Sequence, residues 1–425
     1  MNTRSPKQPD NFAQGFNIIV KPIGPACNLD CKYCFYKEKN ALFPKDHNYR
    51  MRDEIFEEFI RQYIESQPLS PVAFVWQGGE PTLLGLDFFR KAVRLQKKYA
   101  QNKQIINSLQ TNGTLLDTAW CEFLAQNNFL VGISIDGPED IHNIYRVDGK
   151  GRPTFDAVMR GLDCLKRHQV EFNALCCVAK HNEEKPLEVY RFFKEQGIRY
   201  IQFIPVVERQ PDNASAEFGL NLAAPLNTSI DTLPAQVTQW SVTPAAYGDF
   251  LIKIFDQWVR SDVGSMFIMN FEWALSCFVT GNPYACTFSQ NCGRCLVIEH
   301  NGDVYSCDHY VYPDYLLGNI LNTGLKKMAE SDKQLCFGSD KRLSLPTRCR
   351  NCDILFACHG DCPKHRFVKL SDDQSKVSYL CESYKKFFTH ITPYMKMLTR
   401  LIKQNRPAEM IMDLLKNQSH NKKSP

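Results

Sequence analysis

The sequence predicts an α/β protein: a partial TIM-type barrel of six strand-helix units, (β/α)6, followed by a small cysteine-rich domain with a β-hairpin and C-terminal helices. Two observations carry this expectation. Between residues 16 and 208, short β-branched or apolar runs alternate six times with amphipathic helical stretches, the order that builds a parallel sheet with helices outside it. Toward the C-terminus, cysteines recur at the short spacings of metal ligands.

The expected strands are Phe16 to Ile23, Val72 to Gly78, Ile106 to Gly113, Leu130 to Gly137, Glu171 to Lys180 and Tyr200 to Glu208. Helical runs such as 51 to 66 and 84 to 100 lie between them, with apolar residues three and four apart. In parallel barrels the chemistry sits at the carboxyl ends of the strands, and the unusual sequences fall there: GPACNLDCKYC, QGGEP, QTNG, SIDG and IPVVE. Residues 209 to 243 are rich in Pro, Asn, Ala and Thr and read as an excursion. The expected domains are 12–243, the barrel, and 244–425, with helices at 244 to 260 and 270 to 281. A hairpin follows in LVIEHNGDVYSCDHYVY, where Asn301-Gly302 suits a two-residue turn.

With 425 residues, 44% of them hydrophobic, the chain can bury a large core. A formal charge of +5, from 51 basic and 46 acidic residues, does not argue for nucleic acid. The opening MNTRSPKQPDNF lacks the apolar run of a secretory signal, and no stretch of 18 apolar residues exists, so the expectation is a cytoplasmic protein without a membrane partner. Eighteen cysteines in that reducing compartment point to metal or iron-sulfur ligation rather than disulfides.

Cys27, Cys31 and Cys34 form a C-x3-C-x2-C loop. Three thiolates can hold three corners of a [4Fe-4S] cubane and leave the fourth iron open to a small molecule. Structural zinc is normally closed by four ligands, and this loop has no fourth Cys or His. With Tyr33 before the last cysteine and Gln77-Gly78-Gly79-Glu80-Pro81 after the second strand, the pattern resembles the radical S-adenosylmethionine superfamily. The resemblance implies that Gly79 approaches the cofactor's methionine closely, that Ser134 and Arg146 contact its carboxylate, and that Val207 and Tyr33 line the adenine pocket.

Eight further cysteines, Cys286, Cys292, Cys307, Cys349, Cys352, Cys358, Cys362 and Cys381, are the right number for two closed four-ligand clusters. Zinc remains an alternative here, since C-x2-C with later cysteines is also zinc-ribbon text. The spacing resembles the SPASM extension of radical S-adenosylmethionine enzymes. That likeness implies one auxiliary [4Fe-4S] cluster on Cys286, Cys292, Cys307 and Cys362, and another on Cys349, Cys352, Cys358 and Cys381. The other seven cysteines, Cys121, Cys164, Cys176, Cys177, Cys277, Cys295 and Cys336, read by default as small core residues, with Cys295 close enough to Cys292 to confuse a ligand assignment.

CNLDCKYCFYKEK, WQGGEPTLLG, QFIPVVE, HNGDVYSCDHYVY and CPKHR together resemble the anaerobic sulfatase-maturating enzymes, over nearly the whole chain. The resemblance implies oxidation of a Cys or Ser in a nascent sulfatase to formylglycine. It further implies S-adenosylmethionine and three [4Fe-4S] clusters as cofactors, and an electron donor such as a flavodoxin or ferredoxin. Asp308, directly after Cys307, would be the catalytic base, and Tyr36 and Gln77 would hold the substrate peptide. A bare hairpin-end Asp more often caps a turn. Two other readings stand beside this one. One is another SPASM enzyme that forms a thioether or carbon-carbon crosslink in a peptide, against which Asp308 and a first strand starting at Phe16 both count. The other is a zinc-bearing protein without redox chemistry.

Overall fold

The computed structural model describes residues 15–43, 49–225, 236–370 and 375–421. The expected domain start at residue 12, part of the polar excursion (226–235) and the last four residues lie outside these. Six strands, β1 (Asn17–Lys21), β2 (Val72–Trp76), β3 (Ile105–Thr111), β4 (Phe129–Ser134), β5 (Phe172–Val178) and β6 (Tyr200–Pro205), pair in parallel in chain order. Each ends two or three residues before its expected carboxyl end. There the motif residues take over, with Gly78, Gly113 and Gly137 at positive φ turning the chain off the sheet.

Helices α1 (Asp53–Ser66), α2 (Leu86–Tyr99), α3 (Thr118–Gln126), α4 (Glu139–Tyr145), α5 (Phe155–Arg167) and α6 (Pro186–Glu195) fill the connections, two of them between β4 and β5. The local chemistry is legible in α1, where Ile55, Phe56, Phe59, Ile60, Tyr63 and Ile64 make one buried stripe. Asp117 starts α3 by accepting a hydrogen bond from the Trp120 amide at 2.9 Å.

After the short α7 (Asn213–Glu217), α8 (Pro244–Ser261) and α9 (Met269–Thr280) match the expected helices. A strand β7 (Phe267–Ile268) adds to β6. The hairpin of β8 (Cys295–Glu299) and β9 (Asp303–Tyr305) differs from expectation in its turn. It is a three-residue loop, His300-Asn301-Gly302, in which the Gly302 amide donates to the Glu299 carbonyl at 2.9 Å and Gly302 has φ +88°. One more residue at positive φ is what a type I turn needs to rejoin a twisted pair of strands. The hairpin is not a free-standing unit: β8 pairs in parallel with β1, from Asn17↔Cys295 to Lys21↔Glu299. With β10 (Leu316–Asn319) beyond β9, the described sheet has ten strands in the order β10-β9-β8-β1-β2-β3-β4-β5-β6-β7. Strands from beyond residue 243 thus extend both edges of the six-stranded array.

Of the seven unassigned cysteines, Cys121, Cys164, Cys176 and Cys277 are buried as expected, Cys177 and Cys295 are half-buried, and Cys336 is exposed on a polar helix surface, contrary to a core reading. Helix Cys381–Lys403 packs its aromatic face on α8 and α9 through Phe387, which meets Phe255 and Phe271. No described helix is long and apolar enough to cross a membrane.

Ile18 is fully buried in β1, between Phe74 of β2 and Leu296 of β8. Ile18→Ala is expected to destabilise the protein by about 2–5 kcal/mol, measured as a lowered midpoint in denaturant unfolding monitored by circular dichroism.

Candidate active site

The C-x3-C-x2-C loop leaves β1 and is fastened from two sides. Asn112 donates to Asn28 Oδ1 and Asn28 to Thr114 Oγ1, each at 2.9 Å, tying it to the QTNG turn. The amides of Asp30 and Lys32 donate to the carbonyls of Val147 and Tyr145, at 2.8 and 3.0 Å. The QGGEP turn supplies the floor. A Cβ on Gly79 would lie 1.9 Å from the Ala26 carbonyl oxygen, so only glycine fits against the loop. Glu80, which the sequence reading did not single out, is buried, and its carboxylate accepts from the Thr82 amide and hydroxyl, the Thr111 hydroxyl and the Asn112 amide. Burial nonetheless raises its pKa.

Cys27, Cys31 and Cys34 are mutual electrostatic neighbours, and burial pushes the Cys27 thiol up to about 11 and the Cys31 thiol up to about 12. Such thiols become thiolates only when a metal displaces the proton. Beside them Tyr33 donates to Asp136 at 2.6 Å and accepts from Arg146 Nη1 at 2.9 Å. Arg146 is buried and its Nε has no partner. Ser134, at the end of β4, accepts from Gln110 at 3.3 Å. Val207 is buried in the main core, and it is its neighbour Val206 that packs with Tyr33. His181 escaped the sequence reading altogether. It is buried against Tyr33 and Tyr145, 3.7 Å from Asp136, with both ring nitrogens unpartnered, and nothing in its local sequence marks it. An open guanidinium donor and three grouped thiols suit an iron-sulfur cluster together with a ligand carrying a carboxylate.

The three residues expected around the substrate meet on a fourth. Lys21, 1% exposed at the end of β1, forms an ion pair with Asp308 at 2.6 Å, donates to Gln77 Oε1 at 3.3 Å and sits 4.1 Å from the centre of the Tyr36 ring. Tyr36 in turn donates to Glu299 at 2.7 Å, and Glu299 is the register partner of Lys21 in β8. Burial would raise the Asp308 carboxyl, but Lys21, with His309 and Lys364 behind it, holds it below the usual carboxylate range. The sequence signal for Lys21 and Glu299 was a lone charge inside each of two apolar runs, NIIVKPIG and LVIEHNG.

The eight later cysteines fall into two sets. In one, Cys307 has Cys362 and Cys286 as neighbours, and Cys362 has Cys292 and Cys286. In the other, Cys349 neighbours Cys381 and Cys352, and Cys358 neighbours Cys381 and Cys349. All four of the second set line one small cavity. Cys362 lies with Cys292 and Cys286, away from its sequence neighbour Cys358. Cys295 lies near Cys286 and Cys307.

Fold and site define a class. Residues 22–213 match the Radical SAM superfamily, and residues 286–353 match SPASM, an iron-sulfur cluster-binding domain. The chain is 46% identical, over 96% of its length and 97% of the relative's, to a Serine-type anaerobic sulfatase-maturating enzyme of Bacteroides thetaiotaomicron. It is 34% identical to a Cysteine-type enzyme of Clostridium perfringens, covering 89% of this chain and 96% of that one. The solved structure of native anSMEcpe with bound AdoMet and Cp18Cys peptide superposes with a TM-score of 0.78 at 34% identity, over 91% of this chain and 99% of the other. The chain therefore belongs to the anaerobic sulfatase-maturating enzymes.

Gly79→Ala drives a methyl group into the Ala26 carbonyl. It is expected to displace the cysteine loop and lower iron and sulfide content by the share of one cluster, read by metal analysis of anaerobically purified protein, with the helical circular dichroism retained.

Proposed function

We propose that this enzyme oxidises a Ser or Cys side chain of a nascent, unfolded sulfatase to formylglycine, with Asp308 as the base. The observation that carries this reading is the convergence of Asp308, Gln77 and Tyr36 on buried Lys21, at the point where the strand leading to the first cysteine loop meets the residue following Cys307. In this reading residues 12–243 form the radical domain and 244–425 the auxiliary domain. Cys27, Cys31 and Cys34 would hold the cluster that binds S-adenosylmethionine. Arg146 and Ser134 would take the cofactor's carboxylate, Gly79 its methionine end, and Tyr33 and Val207 the side of its adenine.

Bound to its cluster, S-adenosylmethionine supplies a carbon radical able to take one hydrogen atom from the substrate Cβ. The chain's own residues handle the rest. Gln77 and Tyr36 orient the substrate side chain, and Asp308, kept as a carboxylate by Lys21, accepts the hydroxyl or thiol proton. The side chain thus loses a hydrogen atom, a proton and an electron. Cys286, Cys292, Cys307 and Cys362, and separately Cys349, Cys352, Cys358 and Cys381, would hold the two clusters able to take that electron. A flavodoxin- or ferredoxin-type donor in the cytoplasm would reduce the first cluster.

Reduced, reconstituted protein with cofactor and a peptide carrying Ser-x-Pro-x-Arg or Cys-x-Pro-x-Arg is expected to form an aldehyde detectable by mass spectrometry. Cofactor cleavage with both peptides unchanged contradicts the reading. Asp308→Asn is expected to keep its iron yet lose roughly 10²–10⁴-fold in turnover, the usual contribution of a general base; wild-type turnover removes Asp308 from the mechanism. Lys21→Met is expected to lower kcat more than it raises the peptide KM, with Lys21→Arg recovering part of the loss in the same steady-state assay.

A further inference from the structure

The turn between Cys358 and Cys362 joins the two later cysteine sets and takes an unusual course. His359, Gly360 and Asp361 have φ of +43°, +73° and +60°, a left-handed run that L residues adopt only when something holds them. Arg366 holds it. Its Nε donates to the Gly360 carbonyl at 2.7 Å, its Nη2 to the His359 and Asp361 carbonyls at 2.9 and 3.1 Å, and its Nη1 to the Lys341 carbonyl at 2.6 Å. Lys341 is itself fully buried, and its ammonium donates to the Cys286 and Thr287 carbonyls, both at 2.7 Å.

Both side chains are therefore buried cations bonded to main-chain carbonyls, with a weak contact of 3.5 Å from Arg366 to the Ser344 hydroxyl. Among the described residues neither lies within ion-pair distance of a carboxylate. Asp361, the buried acid on the same turn, directs one oxygen to His365 at 2.9 Å and Ser378 at 2.7 Å instead. Carbonyl dipoles satisfy the donors but do not cancel the charge, and an uncompensated buried cation is costly. The cysteine sets lie beside both cations. Lys341 is held against the main chain of Cys286, a member of the first set, and Arg366 against the turn that runs from Cys358 of the second set to Cys362 of the first. Lys341 thus faces the first set, and Arg366 joins both.

We propose that Lys341 and Arg366 are the counter-cations of the two auxiliary clusters, Lys341 serving the Cys286 set and Arg366 shared by both, and that they raise the clusters' reduction potentials. This rests on the reading that each set holds a [4Fe-4S] cluster. A cubane with four thiolates is already anionic and gains one more negative charge when it takes an electron, so a fixed buried cation stabilises the reduced form more than the oxidised one. The arrangement favours movement of the substrate's electron into the auxiliary clusters. Arg366 and Lys341 are positioning residues in this account, because they act through the clusters and touch no substrate.

The test is a potentiometric titration of the holoenzyme followed by electron paramagnetic resonance, after iron and sulfide analysis of each sample. Lys341→Met is expected to lower one auxiliary midpoint potential. Arg366→Gln is expected to lower both, and Arg366→Lys, which keeps the charge but loses the planar fork, to remain near wild type. Variants with full iron content and unchanged potentials overturn the proposal, since a role confined to holding the turn leaves potentials alone. If Arg366→Gln fails to retain its clusters, Lys341→Met decides the matter: a lowered potential supports the proposal and an unchanged one overturns it. Wild-type protein lacking iron in either set defeats the cluster reading itself, a separate failure visible before any titration.

Discussion

The ion pair between Lys21 and Asp308 is the joint on which the active region depends. Only 1% of the Lys21 side chain is exposed, and removing one member of a buried ion pair costs about 3–5 kcal/mol. Its two members come from distant parts of the chain. Lys21 ends β1, six residues before Cys27, whereas Asp308 follows Cys307 just beyond the hairpin. They meet because β8 lies parallel to β1 in a register that sets Glu299 beside Lys21. The same strand pairing thus fixes the first cysteine loop, the proposed base and Cys307 relative to one another.

Around this joint, the motif residues serve chiefly to hold loops in place. Glu80 gathers four donors from its own turn and from the end of β3, and Gly79 lets that turn press on the cysteine loop. Tyr33 locks the loop to Asp136 and Arg146. Near the other clusters, Arg366 does for the Cys358–Cys362 turn what Glu80 does for the first loop, with the charges reversed. In each case one buried side chain organises several polar groups of a neighbouring loop.

The strand-helix alternation was legible because parallel strands buried on both faces read as continuous apolar runs, and α1 shows its helical period openly. The motif loops were legible because Cys, Gly-Gly and Asp are conspicuous at strand ends. The parallel pairing of β8 with β1 was not, since local patterning carries no information about which distant edge a hairpin joins. Lys21 was hidden by the apolar run around it, and His181 by a helix-and-loop setting that looks ordinary. The hairpin turn was placed correctly but assigned one residue too few, because Asn-Gly suits both two- and three-residue loops. Cys336 shows the limit of composition, as a small thiol on a polar helix is no more visible in the sequence than a buried one.

The account places hydrogen abstraction at the Cβ of a serine or cysteine in a peptide seated beside Asp308. The most direct measurement uses a serine peptide fully deuterated at that carbon, with reduced enzyme and unlabelled cofactor, and isolates the 5'-deoxyadenosine formed. The account predicts one deuterium in that product and one left on the aldehyde carbon. Unlabelled 5'-deoxyadenosine, formed alongside oxidised peptide, would contradict it.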